Sequence, residues 1–105
     1  MTNIPLSPVP NQEFSVAPSG NRYTINIRFF RSLMYVTVRN QYGAVYVGSL
    51  RCADRQWLLP YRQKNYGDGN FRFEDDNGQY PDYRNFGQSC RLVFYTVEEL
   101  SSGEV

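Results

Sequence analysis

Between Arg22 and Arg31 the chain alternates. Tyr23, Ile25, Ile27 and Phe29 fall on one parity, and Arg22, Thr24, Asn26 and Arg28 on the other. A period of two places successive side chains on opposite faces of a β-strand, one buried and one wet. The pattern repeats from Leu33 to Asn40, where Met34, Val36 and Val38 alternate with Tyr35, Thr37 and Arg39. It repeats again from Ala44 to Leu50, with Val45 and Val47 opposite Tyr46. Only Arg31-Ser32 and Asn40-Gln41-Tyr42-Gly43 separate these runs, so they predict an antiparallel meander. A shorter strand, Glu13 to Ala17 with Phe14 and Val16 on one face, precedes them across the turn residues Pro18-Ser19-Gly20-Asn21.

The rest of the chain is less regular. Trp57-Leu58-Leu59 predicts a short strand stopped by Pro60, and Tyr61 to Gly69 a loop. Phe71-Arg72-Phe73 opens another alternating strand, ended by Asp75-Asp76-Asn77-Gly78, where Asn-Gly favours a tight primed turn. Tyr80 to Gly87 reads as a loop with room for one helical turn, and Ser89 to Tyr95 as the last strand. No segment has a helical period, and Val97-Glu98-Glu99-Leu100 is too short for an independent helix. The expected core is Phe14, Tyr23, Ile25, Ile27, Met34, Val36, Val38, Val47, Leu59, Phe71, Phe73, Leu92 and Phe94. The fold class is therefore all-β: a single small antiparallel β-barrel or β-sandwich of about seven strands. Pairing after Leu50 leaves barrel and sandwich both open.

Both ends differ in composition from the middle. Pro5, Pro8 and Pro10 remove backbone donors and hold their neighbours extended, so residues 1–12 predict a Pro-rich arm. Its Ile4, Leu6 and Val9 lie against either this domain or a neighbouring chain. Residues 13–95 form the β domain. Residues 96–105 form an acidic tail, either disordered or ordered only by a partner.

The length of 105 residues fits one domain. No apolar run approaches the roughly 20 residues of a membrane span, and Met1 to Pro5 does not open a signal peptide. The expectation is a soluble chain without a cleaved leader and without a membrane partner. Cys52 and Cys90 lack the spacing of a metal or redox motif and read as small buried residues, with a single bridge between them left open.

The net charge of +1 hides an uneven distribution. Residues 1–65 hold eight of the eleven bases but only Glu13 and Asp54 as acids. Residues 66–105 hold eight acids and only Arg72, Arg84 and Arg91 as bases. Either folding interleaves the halves, or one surface stays polarised and docks a complementary neighbour.

Candidate chemistry is sparse. With no histidine, the chain lacks the commonest general base and metal ligand, and two cysteines are too few for a tetrahedral zinc site. Asp75-Asp76-Asn77-Gly78 has the wrong spacing for a calcium loop and reads as a solvated acidic turn. Gly67-Asp68-Gly69 is not a phosphate-binding fingerprint. No catalytic residue, cofactor or metal is expected. The anomaly is aromatic. Nine Tyr and seven Phe exceed the needs of this core, leaving Tyr35, Tyr42, Tyr46, Trp57, Tyr61, Tyr66, Tyr80, Tyr83 and Phe86 wholly or partly outside it. Tyr, Trp and Arg are enriched at interface hot spots. Arg22, Arg28, Arg39, Tyr35 and Tyr46 on one outer face would also suit single-stranded nucleic acid, although near-neutral charge weighs against it. Exposed Tyr and Trp leave a carbohydrate-binding accessory module as a further alternative.

One set of motifs narrows this. It begins with Ile4-Pro5-Leu6, Pro8, Pro10-Asn11-Gln12 and Phe14, then Tyr23, Ile25, Met34-Tyr35 and Val47-Gly48. It ends with Gly69, Phe71, Phe73, Asp75, Gly78, Pro81-Asp82-Tyr83, Phe86-Gly87 and Leu92. In this order, over residues 4–95, the chain resembles the small plug proteins of tailed-phage baseplates. The resemblance implies a structural virion protein without an active site, assembled in the host cytoplasm. It would sit near the tail axis among hub, spike and tail-tube proteins, in several copies around that axis. Partner-binding candidates are then Ile4, Pro5, Leu6, Pro8 and Pro10 on the arm, with Tyr35, Tyr46, Trp57, Tyr83 and Phe86.

Overall fold

The computed structural model describes residues 1–60 and 69–102. Among the described residues seven strands run in chain order: β1 (Thr2–Ile4), β2 (Gln12–Val16), β3 (Tyr23–Phe30), β4 (Leu33–Arg39), β5 (Val45–Arg51), β6 (Gly69–Asp75) and β7 (Cys90–Thr96). A five-residue helix, α1 (Val97–Ser101), follows. The strands divide between two antiparallel sheets, ordered β2-β3-β4-β5 and β1-β7-β6, and do not close into a barrel.

The predicted meander is β3-β4-β5, with β2 added at its edge. Ile25 lies opposite Val38 and Ile27 opposite Val36, so the apolar parities of β3 and β4 share one face. That face meets Phe71, Phe73, Leu92 and Phe94 of the other sheet in a single hydrophobic cluster. Tyr23 joins the two sheets directly, its ring edge-on to Phe71 at 5.2 Å. Every expected core residue except Val47 lies in this cluster or packs against it.

The structure corrects the sequence reading in four places. First, the arm begins with a strand. Thr2, Asn3 and Ile4 pair with Phe94, Val93 and Leu92, and Ile4 is buried in the core. A three-residue strand is too short to show a period. Second, β5 carries two register shifts against β4, and Ser49 adopts φ +49°. Each shift moves the following side chains to the other face. Tyr46 and Leu50 therefore pack against the core, while Val45 is exposed. Third, Trp57 to Leu59 is not a strand but part of a strap along β6. Arg55 N–H and Leu58 N–H donate to the carbonyls of Phe73 (2.8 Å) and Phe71 (3.0 Å). The Asn70 side chain then takes the place of a ladder, accepting from Leu59 N–H at 2.8 Å and donating to Leu59 O at 3.0 Å. Fourth, the start of the acidic tail is helical. The Thr96 hydroxyl accepts from Glu99 N–H, and the Glu99 carboxylate accepts from Thr96 N–H, a capping box that satisfies two of the helix's orphan donors. Glu99 also binds the Met1 ammonium, tying α1 to the residue before β1.

The predicted loop over 61–69 lies outside the described residues except for Gly69, and so do residues 103–105 of the tail. The loop from Tyr80 to Gly87 does hold one helical turn, a 3-10 turn at Tyr83–Asn85.

Candidate functional site

The arm folds back after β1. Gln12 clamps Ser7, donating to its carbonyl at 2.7 Å and accepting from its N–H at 3.2 Å. Asn11 accepts from Phe29 N–H at 3.1 Å. These bonds explain the residues after the prolines: they hold a turn that carries the chain from one sheet to the other. Of the arm candidates, Ile4 is in the core, Leu6 packs against it, and Pro5, Pro8 and Pro10 are exposed.

Pro81-Asp82-Tyr83 and Phe86-Gly87 also have structural roles. Asp82 caps the 3-10 turn by accepting from Arg84 N–H at 2.9 Å. Tyr83 meets Phe29 edge-on at 5.2 Å, and Phe86 is buried, stacked on Phe73 at 6.0 Å. Phe86 is therefore part of this chain's own core. Tyr46 turns toward Tyr23 (6.1 Å between centroids), away from the outer face on which it was expected.

Trp57 covers a second structural cluster. Trp57 meets Tyr95 edge-on at 5.7 Å, and the Arg72 guanidinium lies against both rings, 4.6 and 5.0 Å from their centroids. Its Nε donates to Glu74 at 2.9 Å, and the Tyr95 hydroxyl donates to the same carboxylate oxygen. Burial pushes the Glu74 carboxyl up, but the hydrogen bonds from Tyr95 and Arg72 outweigh it and hold the group below the ordinary carboxylate value. The acidic turn differs from expectation as well. Asp75 is not solvated but buried, accepting from Asn77 N–H at 2.8 Å and Gln79 N–H at 3.2 Å. Among the described residues, no three Cys, Asp or Glu side chains group as metal ligands. Cys52 and Cys90 are both free and buried, and burial pushes each thiol up to about 12.

The outer face of β3-β4-β5 remains. Arg28 lies opposite Tyr35, and Tyr35 opposite Arg51, so the three form one row across the strands. Directly opposed residues share a face. Arg28, Phe30, Tyr35 and Ser49 line an open depression of about 370 Å³. Phe30 and Tyr80 are more than half exposed, and each carries a guanidinium: Arg31 over Phe30 at 5.3 Å, Arg51 over Tyr80 at 4.2 Å. Toward β2 the face turns polar, through Ser15 with Thr24 and Glu13 with Asn26. Of the candidates, only Tyr35 belongs to this row. Arg51 and Ser49 were missed because the β5 register shifts that place them leave no mark in the alternation.

An all-β chain whose two sheets share one core, with arginine and aromatic side chains displayed on an outer sheet face, belongs to the class of small β domains suited to making contacts. The comparison with known families is more specific. Residues 1–98 match the family described as cyanophage baseplate Pam3 plug gp18, and the chain belongs to that family. It is thus a structural viral protein of the phage tail baseplate. No curated protein matches the chain.

Proposed function

We propose that this chain is a hub-associated plug near the tail axis, present in several copies and acting through protein–protein contacts with hub, spike and tube proteins rather than by catalysis. The match of residues 1–98 to a baseplate plug family carries this reading. The exposed prolines of the turn after β1 and the Arg28–Tyr35–Arg51 row supply contact surface. Arginine and tyrosine suit that role because both lose little side-chain entropy per contact formed. Mass spectrometry of purified tails tests the reading: the chain should copurify with the hub proteins, and its absence from intact tails would sink the idea.

A second reading rests on one observation. Arg28, Tyr35 and Arg51 alternate cation and ring across three strands, as in sheets that hold single-stranded nucleic acid. It predicts a gel shift with oligo-dT at low salt that fades steeply as salt rises. Lack of any shift excludes it.

A further inference from the structure

The arginines among the described residues fall into two groups. Arg55, Arg72 and Arg84 each pair with a carboxylate one or two residues away, Asp54, Glu74 and Asp82, and Arg91 pairs with Asp76. Arg22, Arg28, Arg31, Arg39 and Arg51, all on the β2-β3-β4-β5 side, pair with no carboxylate among the described residues. Among the described residues, folding therefore forms no side-chain ion pair between the basic and acidic halves. It neutralises one side of the molecule locally and leaves the other basic.

The carboxylates are occupied in turn. Besides those four, Glu99 holds the Met1 ammonium, Glu13 accepts from Asn26, and buried Asp75 caps its own turn. Among the described carboxylates only that of Glu98 lacks a hydrogen-bond or ion-pair partner. The described residues of a second copy thus offer almost no free negative charge to set against the basic face.

We propose that the outer face of β3-β4-β5 docks an acidic segment of a different protein chain, with carboxylates pairing with Arg28 and Arg51 and an apolar side chain covering Phe30. This rests on the baseplate reading above and names the partner's chemistry. Charge complementarity is the argument. Guanidinium groups recognise carboxylates bidentately, and exposed aromatic rings beside them supply the apolar anchor typical of hot spots. Arg28 and Arg51 lie on strands separated by β4, which sets their backbones about 10 Å apart. The partner must present acidic groups at a matching spacing.

The test uses assembled tails. A photocrosslinking phenylalanine analogue replaces Phe30, and products from purified tails are identified by mass spectrometry. The expected product joins this chain to an Asp- or Glu-rich stretch of another tail protein. A crosslink to a second copy, to DNA, or to a neutral or basic stretch overturns the proposal. So does no crosslink from a chain that is present in the tails, whereas absence of the unsubstituted chain from tails refutes the baseplate reading instead. In parallel, Arg28→Glu with Arg51→Glu should lower incorporation at least tenfold at an unchanged melting temperature, and Arg28→Lys with Arg51→Lys should recover part of it. Normal incorporation of the reversed-charge variant would also overturn the proposal.

Discussion

The Arg72 guanidinium rests against the Trp57 and Tyr95 rings, and its charge is met by Glu74, with both partners of the pair nearly buried. Removing one partner of such a pair leaves a desolvated charge behind. Glu74→Gln should cost about 2–3 kcal/mol at neutral pH, measured by urea unfolding. The pH dependence has a definite sign. The folded pKa of Glu74 lies below its unfolded value, so its stabilisation is present above about pH 4.3 and is lost as pH falls through the folded value. The wild type should lose urea midpoint below that pH, and Glu74→Gln should flatten the slope. Gly69 is a second residue with a sharp requirement. Its φ is +142°, and an added Cβ would lie 1.9 Å from the Tyr95 carbonyl. Gly69→Ala should therefore destabilise by at least about 3 kcal/mol, seen as a large fall in melting temperature. Neither role is legible in the sequence. Arg72 and Glu74 read as the polar parity of a strand, and Gly69 as loop, because the strap that covers β6 carries no periodic signal.

Single elements show the same division. The alternating runs specify β3 and β4 with their faces, since one residue of slip would turn every core side chain outward, but they mark β5 only as a strand, because its two register shifts change which side chains face the core. β1 has no such signal, yet it pairs with β7 at the far end of the chain and buries Ile4. Ile4→Ala should cost about 2–4 kcal/mol and lower the melting temperature by roughly 10–20 °C. Deleting residues 1–5 should cost more. A melting temperature unchanged by either would mean that the arm does not complete this chain's own core. The β3-β4 hairpin is strained at its tip, where Arg31 and Ser32 both have positive φ, 50° and 67°. Two-residue hairpins of this kind favour Asn-Gly. Arg31→Asn with Ser32→Gly should raise stability by about 1–2 kcal/mol, checked by thermal unfolding. On the docking proposal it should also weaken incorporation into tails, because it removes one cation from the basic face.

For the whole molecule, burial governs the thiols. Cys52 and Cys90 sit in one core with pKa values pushed up to about 12, so almost no thiolate forms near pH 8. Iodoacetamide should leave the native protein unlabelled and mark both cysteines on unfolding; rapid labelling of the native state would contradict this burial. The sequence by itself determined the all-β class, the meander and most of the core, though not Ile4, Leu58 or Phe86, because alternation is a local property that a strand imposes on its own residues. Its ordered Pro-Asn-Gln, Pro-Asp-Tyr and Phe-Gly motifs were also enough to point to the baseplate plug family. Only the tertiary structure decided which residues those motifs serve, which sheet β1 joins and which arginines are left without an acid. Those facts depend on contacts between residues far apart in the chain and on register shifts in β5, and neither leaves a periodic trace along the sequence.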